Sequence, residues 1–304
     1  MLFTRVKFWG LVLLLFIYLI GVLLLSALSL NESKSTALNK GSSAFTQHQI
    51  SKLKNFEYGL TGFKAALRRS KINWCTDLKY QDPPGETIAL ASFPGSGNTW
   101  LRYLLQQATG IYTGSVYKDF GLLKNGFPAE SVLNGSVLVV KTHEWGQKAR
   151  NRFTKALLLV RSPGAAIQAE FNRQSGGHIG FASPDRFKRL KGRYWQQFVS
   201  DKLRGWQQMN LDWLFNFTGP THVIFYEQLV DDVPHTMRGV LDFIGIHVDP
   251  QLFKCAMDRR EGIYRRKKRV LNFDPYTKEM KEKLREAQEK VYEAIYNFAA
   301  PAAR

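Results

Sequence analysis

Ile88-Ala89-Leu90-Ala91-Ser92-Phe93-Pro94-Gly95-Ser96-Gly97-Asn98-Thr99-Trp100-Leu101-Arg102-Tyr103 decides how the rest of the chain is read. An apolar run ends at Phe93, two glycines follow, and Trp100, Leu101, Leu104 and Leu105 then share one face at helical spacing. The stretch reads as a strand, a tight loop and a helix N-terminus. Glycines let successive N–H groups converge on one point, and the helix dipole adds partial positive charge there, so the loop is an anion cradle. A phosphate or sulfate is expected on it. The common phosphate loop, GxxxxGK[ST], has a lysine that reaches the terminal phosphates. No lysine follows Gly97, which weakens an ATP or GTP reading. A Gly-rich turn also serves as plain strand-to-helix geometry, so the rest of the chain has to decide.

Working outward, strand-like runs recur at 88–93, 137–141, 156–160 and 223–226, each apolar on both faces. Amphipathic helical patterns lie between and after them, including 234–245 and 277–298. The alternation predicts an α/β fold, a P-loop-like parallel sheet flanked by helices. Sites in such folds lie at the carboxyl ends of the strands. The second strand ends in Lys141-Thr142-His143, a cation and an imidazole, although such a pair taken alone is more often ordinary surface. The third ends in Arg161-Ser162-Pro163. An ATPase would carry an acid there to help hold magnesium, whereas Arg binds phosphate directly. The fourth runs into Tyr226-Glu227-Gln228-Leu229. Residues 259–269 hold seven basic residues in eleven. That run fits a solvated face or a glycan- or membrane-binding surface, and in a chain with an anion loop Arg265, Arg266 and Lys267 are candidates for cofactor phosphate.

The 304 residues carry a formal net charge of +18, with 44% hydrophobic and 13% aromatic residues. This is a globular chain suited to polyanionic partners. Two cysteines, Cys75 and Cys255, exclude a disulfide-dense module and a Cys-based zinc site, and leave one disulfide or two free thiols open. Residues 8–30 contain no charge and follow Arg5 and Lys7. They predict a transmembrane signal anchor behind a cytosolic tail of residues 1–7, the alternative being a signal peptide cleaved near 27–29. Residues 31–55 lack the apolar content for a core and predict a flexible stem. A membrane-proximal segment, 56–84, whose Trp74-Cys75 is expected to pack onto the domain, and a lumenal domain, 85–304, follow. Acceptor sequons at Asn31, Asn134 and Asn216 agree with a lumenal, single-pass type II arrangement and make a nucleic-acid partner improbable.

Taken together, these motifs resemble the membrane-anchored Golgi-type sulfotransferases that use 3′-phosphoadenosine 5′-phosphosulfate (PAPS). Phe93 to Trp100 is similar to their 5′-phosphosulfate loop, Lys141-Thr142-His143 to their Lys-Thr-His element, Arg161-Ser162-Pro163 to the start of their 3′-phosphate motif, and Tyr226-Glu227-Gln228-Leu229 to their Tyr-Glu-x-Leu segment. The resemblance covers roughly residues 85–273. It is closest to the WSC-domain-containing sulfotransferases, through the Gly-Asn-Thr-Trp form of the loop, Ala169-Glu170-Phe171-Asn172-Arg173, Gly176-Gly177-His178-Ile179-Gly180-Phe181 and Phe273-Asp274-Pro275-Tyr276. Two cysteines cannot supply the WSC modules themselves.

The resemblance implies a sulfotransferase fold and a PAPS-dependent carbohydrate O-sulfotransferase without a metal. His143 would be the base and Lys141 the group that stabilises the leaving oxygen. Gly95, Ser96, Gly97, Asn98, Thr99 and Trp100 would hold the 5′-phosphosulfate, and Arg161, with Arg265, Arg266 and Lys267, the 3′-phosphate. The acceptor would be a glycan or glycoprotein, with sialic acid hydroxyls implied by the relatives and His178 a candidate contact. Two positions depart from the family pattern: Gly95 stands where the loops usually carry Lys, and Ala169 where the 3′-phosphate motif usually carries Ser. Both departures imply lost cofactor contacts. The rival expectations are a glycan-binding protein on an inactive sulfotransferase fold and a lumenal kinase. A manganese-dependent glycosyltransferase is disfavoured, since the chain has no Asp-x-Asp.

Overall fold

All five residues of β1 (Ile88–Ser92) are buried, so this strand can only lie inside a sheet covered on both faces. A computed structural model describes residues 72–265 and 271–299. The remaining elements are α1 (Asn98–Thr109), β2 (Gly114–Ser115), α2 (Phe120–Leu123), β3 (Val140–Thr142), α3 (Gln147–Arg150), β4 (Lys155–Val160), α4 (Pro163–Gly176), α5 (Pro184–Lys188), α6 (Arg193–Phe215), β5 (Thr221–Phe225), α7 (Tyr226–Asp231), α8 (Val233–Ile244), α9 (Pro250–Asp258) and α10 (Lys278–Ala299). The five strands form one sheet in the order β2-β3-β1-β4-β5. All neighbours are parallel, with Ala89 opposite both Val140 and Ala156. Every carboxyl end therefore opens on the same edge, with β1 at its centre.

Strand alternation assigns the two faces. Ala89 and Ala91 of β1, with Ala156, Leu158 and Val160 of β4, face a core built on Phe171, Trp195, Trp206, Trp213 and Val291 from α4, α6 and α10. Ile88, Leu90, Leu157 and Leu159 face Leu101, Leu104, Leu105, Met237 and Met257 from α1, α8 and α9. Small β1 side chains on the first face leave room for the tryptophans of α6.

Several boundaries differ from the sequence expectation. The second strand starts at Val140 because residues 137–139 approach along the 112–114 backbone: Leu138 N donates to Tyr112 O at 2.9 Å and Gly114 N to Val139 O at 2.8 Å. β2 has two residues, too short for any periodic signal. β5 is not apolar on both faces, and four of its five residues are half-exposed because it is the sheet edge.

Residues 72–84, placed ahead of the domain by the sequence with only Trp74-Cys75 expected to pack on it, are tied into it along their length. Lys79 forms a parallel bridge with Ile111, Gln81 N donates to Ser136 O at 2.7 Å, and the Trp74 ring lies 5.7 Å from that of Tyr103. Cys75 and Cys255 form a disulfide, which links this segment to α9, a neighbour of α1. The expected anchor and stem, Asn31, Arg266 and Lys267 lie outside the described residues. Among the described residues no helix is long and apolar enough to cross a membrane. Asn134 and Asn216 are both exposed.

Candidate active site

The β1–α1 loop is held by backbone constraints that only glycine satisfies. Gly95 has φ +88°, and a Cβ there would lie 2.2 Å from Ala166 O and 2.9 Å from Glu170 N of α4. Gly97, φ +100°, has the Tyr226 ring 2.6 Å from where its Cβ would be. The departure at Gly95 is therefore not a lysine simply deleted from the loop, because α4 occupies the space a side chain would need. Asn98 donates through Nδ2 to Leu90 O and to Ser92 Oγ, both at 3.0 Å, and so ties the helix start back to β1. Trp100 is buried and donates Nε1–H to Arg260 O at 2.8 Å. Those two side chains build the scaffold, while the N–H groups of Asn98, Thr99 and Trp100 open the first turn of α1 and have no acceptor within the helix. Ser96 differs from expectation. Its N–H closes the turn onto Phe93 O at 3.2 Å, and its buried Oγ has no partner among the described residues.

Arg161 follows β4 and lies beside this loop. Nη1 donates to Gly95 O at 2.8 Å, the guanidinium stands 4.1 Å from the Tyr226 ring centre, and buried Nε has no partner among the described residues. Arg265 pairs with Glu261 and sits 5.0 Å from the Trp100 ring centre.

At the end of β3, Lys141 is buried and its ammonium lies 5.7 Å from the Tyr117 ring centre. Burial, and then the charge of Arg102, push its pKa down to about 8. His143 N donates to Tyr117 Oη at 3.1 Å, and its Nδ1 lies 2.6 Å from Ser92 O. Carbonyl oxygen only accepts, so Nδ1 carries the proton and Nε2 keeps its lone pair. Burial first, and then Lys141, push the imidazole pKa down to about 3. His143 is thus neutral at physiological pH and ready to accept a proton at Nε2.

The facing wall comes from distant segments. Arg102 and Glu130 form a fully buried ion pair at 2.7 Å, and Glu130 Oε2 accepts from Asp119 N at 3.3 Å. Asp119 caps α2 through Oδ1 and meets His178 Nε2 through Oδ2 at 2.7 Å. Despite its partial burial, the His178 contacts hold the Asp119 carboxyl below the usual range. Arg173 bonds Glu170 with two N–H groups, at 2.6 and 2.8 Å. Sequence reasoning missed Tyr117 and Asp119. Neither lies in a motif, and their relation to His143 and His178 spans 26 and 59 residues.

One cavity of about 1100 Å³ brings these groups together: Gly95, Gly97, Asn98, Thr99, Trp100, Lys141, His143, Arg161, His178 and Arg265 all line it, with Tyr117, Asp119, Ala169, Arg173 and Tyr226. Ser96 does not line it. Its size suits a nucleotide-scale ligand. Among the described residues no group of three or more His, Cys, Asp or Glu is placed to hold a metal.

No protein-family model matches the chain. The mouse sulfotransferase SULT7A1 complexed with PAP is similar in structure with a TM-score of 0.48 at 14% identity, over 70% of this chain and 89% of that one, a likeness too loose to carry fold or activity across. Full-length similarity is much stronger. A WSCD family member of Aedes aegypti is 50% identical over 317 aligned positions, covering 96% of this chain and 97% of that one. Drosophila melanogaster and Drosophila pseudoobscura pseudoobscura members are 57% and 56% identical over 76% and 77% of this chain. With half or more of the aligned residues identical across nearly all or three quarters of its length, the chain belongs to the WSCD family.

Proposed function

We propose that this chain transfers a sulfuryl group from PAPS to a hydroxyl of a glycan, sialic acid or another acidic sugar, in the lumen of the Golgi, as a single-pass type II membrane protein. The observation that carries the reading is that one cavity joins a helix-N-terminal anion loop, a half-buried arginine, a buried lysine, and a neutral histidine with a free ring lone pair. The donor set suits PAPS: two cationic side chains and the first-turn N–H groups answer a polyanion, and the unpartnered Nε of Arg161 matches an anionic oxygen. Bound PAPS would supply the sulfuryl group and a nucleotide bisphosphate as leaving group.

The chain's residues then divide the work. N–H groups of Asn98, Thr99 and Trp100 hold the 5′ end, with the Thr99 hydroxyl, and Arg161 holds the 3′-phosphate with help from Arg265. His143 Nε2 removes the acceptor hydroxyl's proton as its oxygen attacks sulfur in line. Lys141 stabilises negative charge on the bridging oxygen as that bond breaks. An imidazole with its pKa near 3 is a weak base. However, the depression comes partly from Lys141, and an anionic nucleotide beside that lysine offsets its field and raises histidine basicity when the reaction needs it.

The test is to compare binding of 3′-phosphoadenosine 5′-phosphate (PAP), adenosine 5′-phosphate and ATP with magnesium to the purified chain, and then to assay transfer of labelled sulfate from PAPS to sialylated glycans. Selective PAP binding with transfer is expected. Preference for ATP with magnesium would overturn the reading in favour of a kinase, and PAP binding without transfer to any glycan would overturn the assigned activity.

A further inference from the structure

A second cationic feature lies outside the phosphate-binding residues. From within α5 to the first residue of α6, Arg186, Lys188, Arg189, Lys191 and Arg193 place five cations within eight residues, and Asp185 is the one acidic residue from 184 to 200. None of the five takes part in an ion pair among the described residues. Aromatic rings hold three of them instead: Arg186 lies 5.9 Å from the Phe171 ring centre, Lys188 5.2 Å from that of Phe273, and Arg189 5.3 Å from that of Tyr194.

Backbone hydrogen bonds and rings tie the turn down. Gly192 N donates to Lys188 O and Arg189 O, and Phe187 and Trp195, 5.0 Å apart, root its two ends in the aromatic core. Like charges crowded on one exposed turn, with Asp185 the one acidic residue among them and none of the five in an ion pair among the described residues, raise the local positive potential and favour an external polyanion. Positions 188 to 191 and 193 are exposed and can meet it. The turn adjoins the cavity along the chain, since Ala182, which lines the cavity, stands two residues before α5, and Phe273, the ring under Lys188, is two residues beyond the cavity-lining Leu271. An anion spanning both must be an extended chain, which favours a glycan over a planar lipid surface.

We propose that the 186–193 turn binds the anionic residues of an acidic glycan chain whose reacting unit enters the cavity, an inference that rests on the sulfuryl-transfer reading. Heparin serves as the polyanionic glycan probe. The full chain, purified in detergent, is compared with the variant Lys188→Gln/Arg189→Gln/Lys191→Gln/Arg193→Gln. Expected are about a tenfold loss of heparin affinity and a shallower salt dependence, because fewer counterions are released, with PAP affinity unchanged. Should that variant fail to fold, Lys191→Glu/Arg193→Glu, at exposed positions held by no ring, gives the same reading.

Heparin affinity equal to wild type in a folded variant would overturn the proposal. So would a loss seen on phosphatidylserine vesicles but not on heparin, which would make the turn a membrane contact. A wild-type chain that fails to bind PAP, while the heparin loss persists, would overturn the transfer reading and leave the glycan surface standing.

Discussion

The two walls of the cavity are built by different physics. The wall built by the β1–α1 loop is contiguous chain. Residues 93–100 set it through backbone conformation, two positive-φ glycines and a helix terminus, and α4 and Tyr226 pack so tightly against the glycines that the loop has little freedom. The facing wall is assembled from side chains. Tyr117, Asp119 and His178 meet through hydrogen bonds and charge, anchored on the buried Arg102–Glu130 pair. His143 joins the walls, bonded to Ser92 of β1 on one side and to Tyr117 on the other. A wall made of backbone tolerates almost no substitution. One made of paired side chains can change what it recognises while the fold stays intact.

Breaking the junction should have the largest effect. His143→Ala is expected to lower kcat for sulfuryl transfer about 10³-fold with PAP affinity unchanged, as measured by steady-state kinetics beside direct PAP titration. Turnover close to wild type would remove the base assignment. The glycines then set the walls against each other. Gly95→Ala drives a methyl into the α4 backbone at positive φ and should cost about 3 kcal/mol of unfolding free energy in denaturant titrations. Gly177→Ala, on the facing side at φ +73° and ψ −163° with open space around its Cβ, meets no clash and should cost backbone strain alone, about 2 kcal/mol. Equal losses would erase the contrast.

Arg161→Ala should weaken PAP binding about 100-fold and adenosine 5′-phosphate binding far less, by calorimetry. Uniform losses would take the 3′-phosphate away from this residue.

The next effect depends on pH. Lys141 titrates near 8 in the free protein, and a bound anion favours its charged form and raises that pKa. Below pH 8 the lysine is charged in both states and affinity is flat. Above it, binding must take up a proton, so PAP affinity should fall by up to about tenfold per pH unit. Lys141→Arg should abolish that limb, and a limb that persisted would belong to another group. The smallest expected change is a gain. Ala169 lines the cavity, and Ala169→Ser adds a hydroxyl there that should improve PAP affinity about threefold, as read from titration.

The sequence alone determined the parallel α/β sheet, the glycine loop that runs into a helix N-terminus, and the charged or titratable residues just past three strand ends. Each of these rests on local pattern: runs of buried apolar residues, glycines at a turn, a cation or imidazole just past a strand. It also carried the family resemblance, since the motifs stand in order along the chain. Only the tertiary structure decided that Ser96 N–H closes the turn onto Phe93 O, that Gly95 has no room for a side chain, that Cys75 pairs with Cys255, and that 72–84 beyond Trp74-Cys75 belongs to the fold. It alone brought Tyr117 to His143 and Asp119 to His178. The reason is physical. Strands, turns and helix termini are fixed by neighbours a few residues away, whereas steric exclusion by a packed helix, a distant cross-link and the low-dielectric setting that shifts Lys141 and His143 exist only once remote segments share the same space.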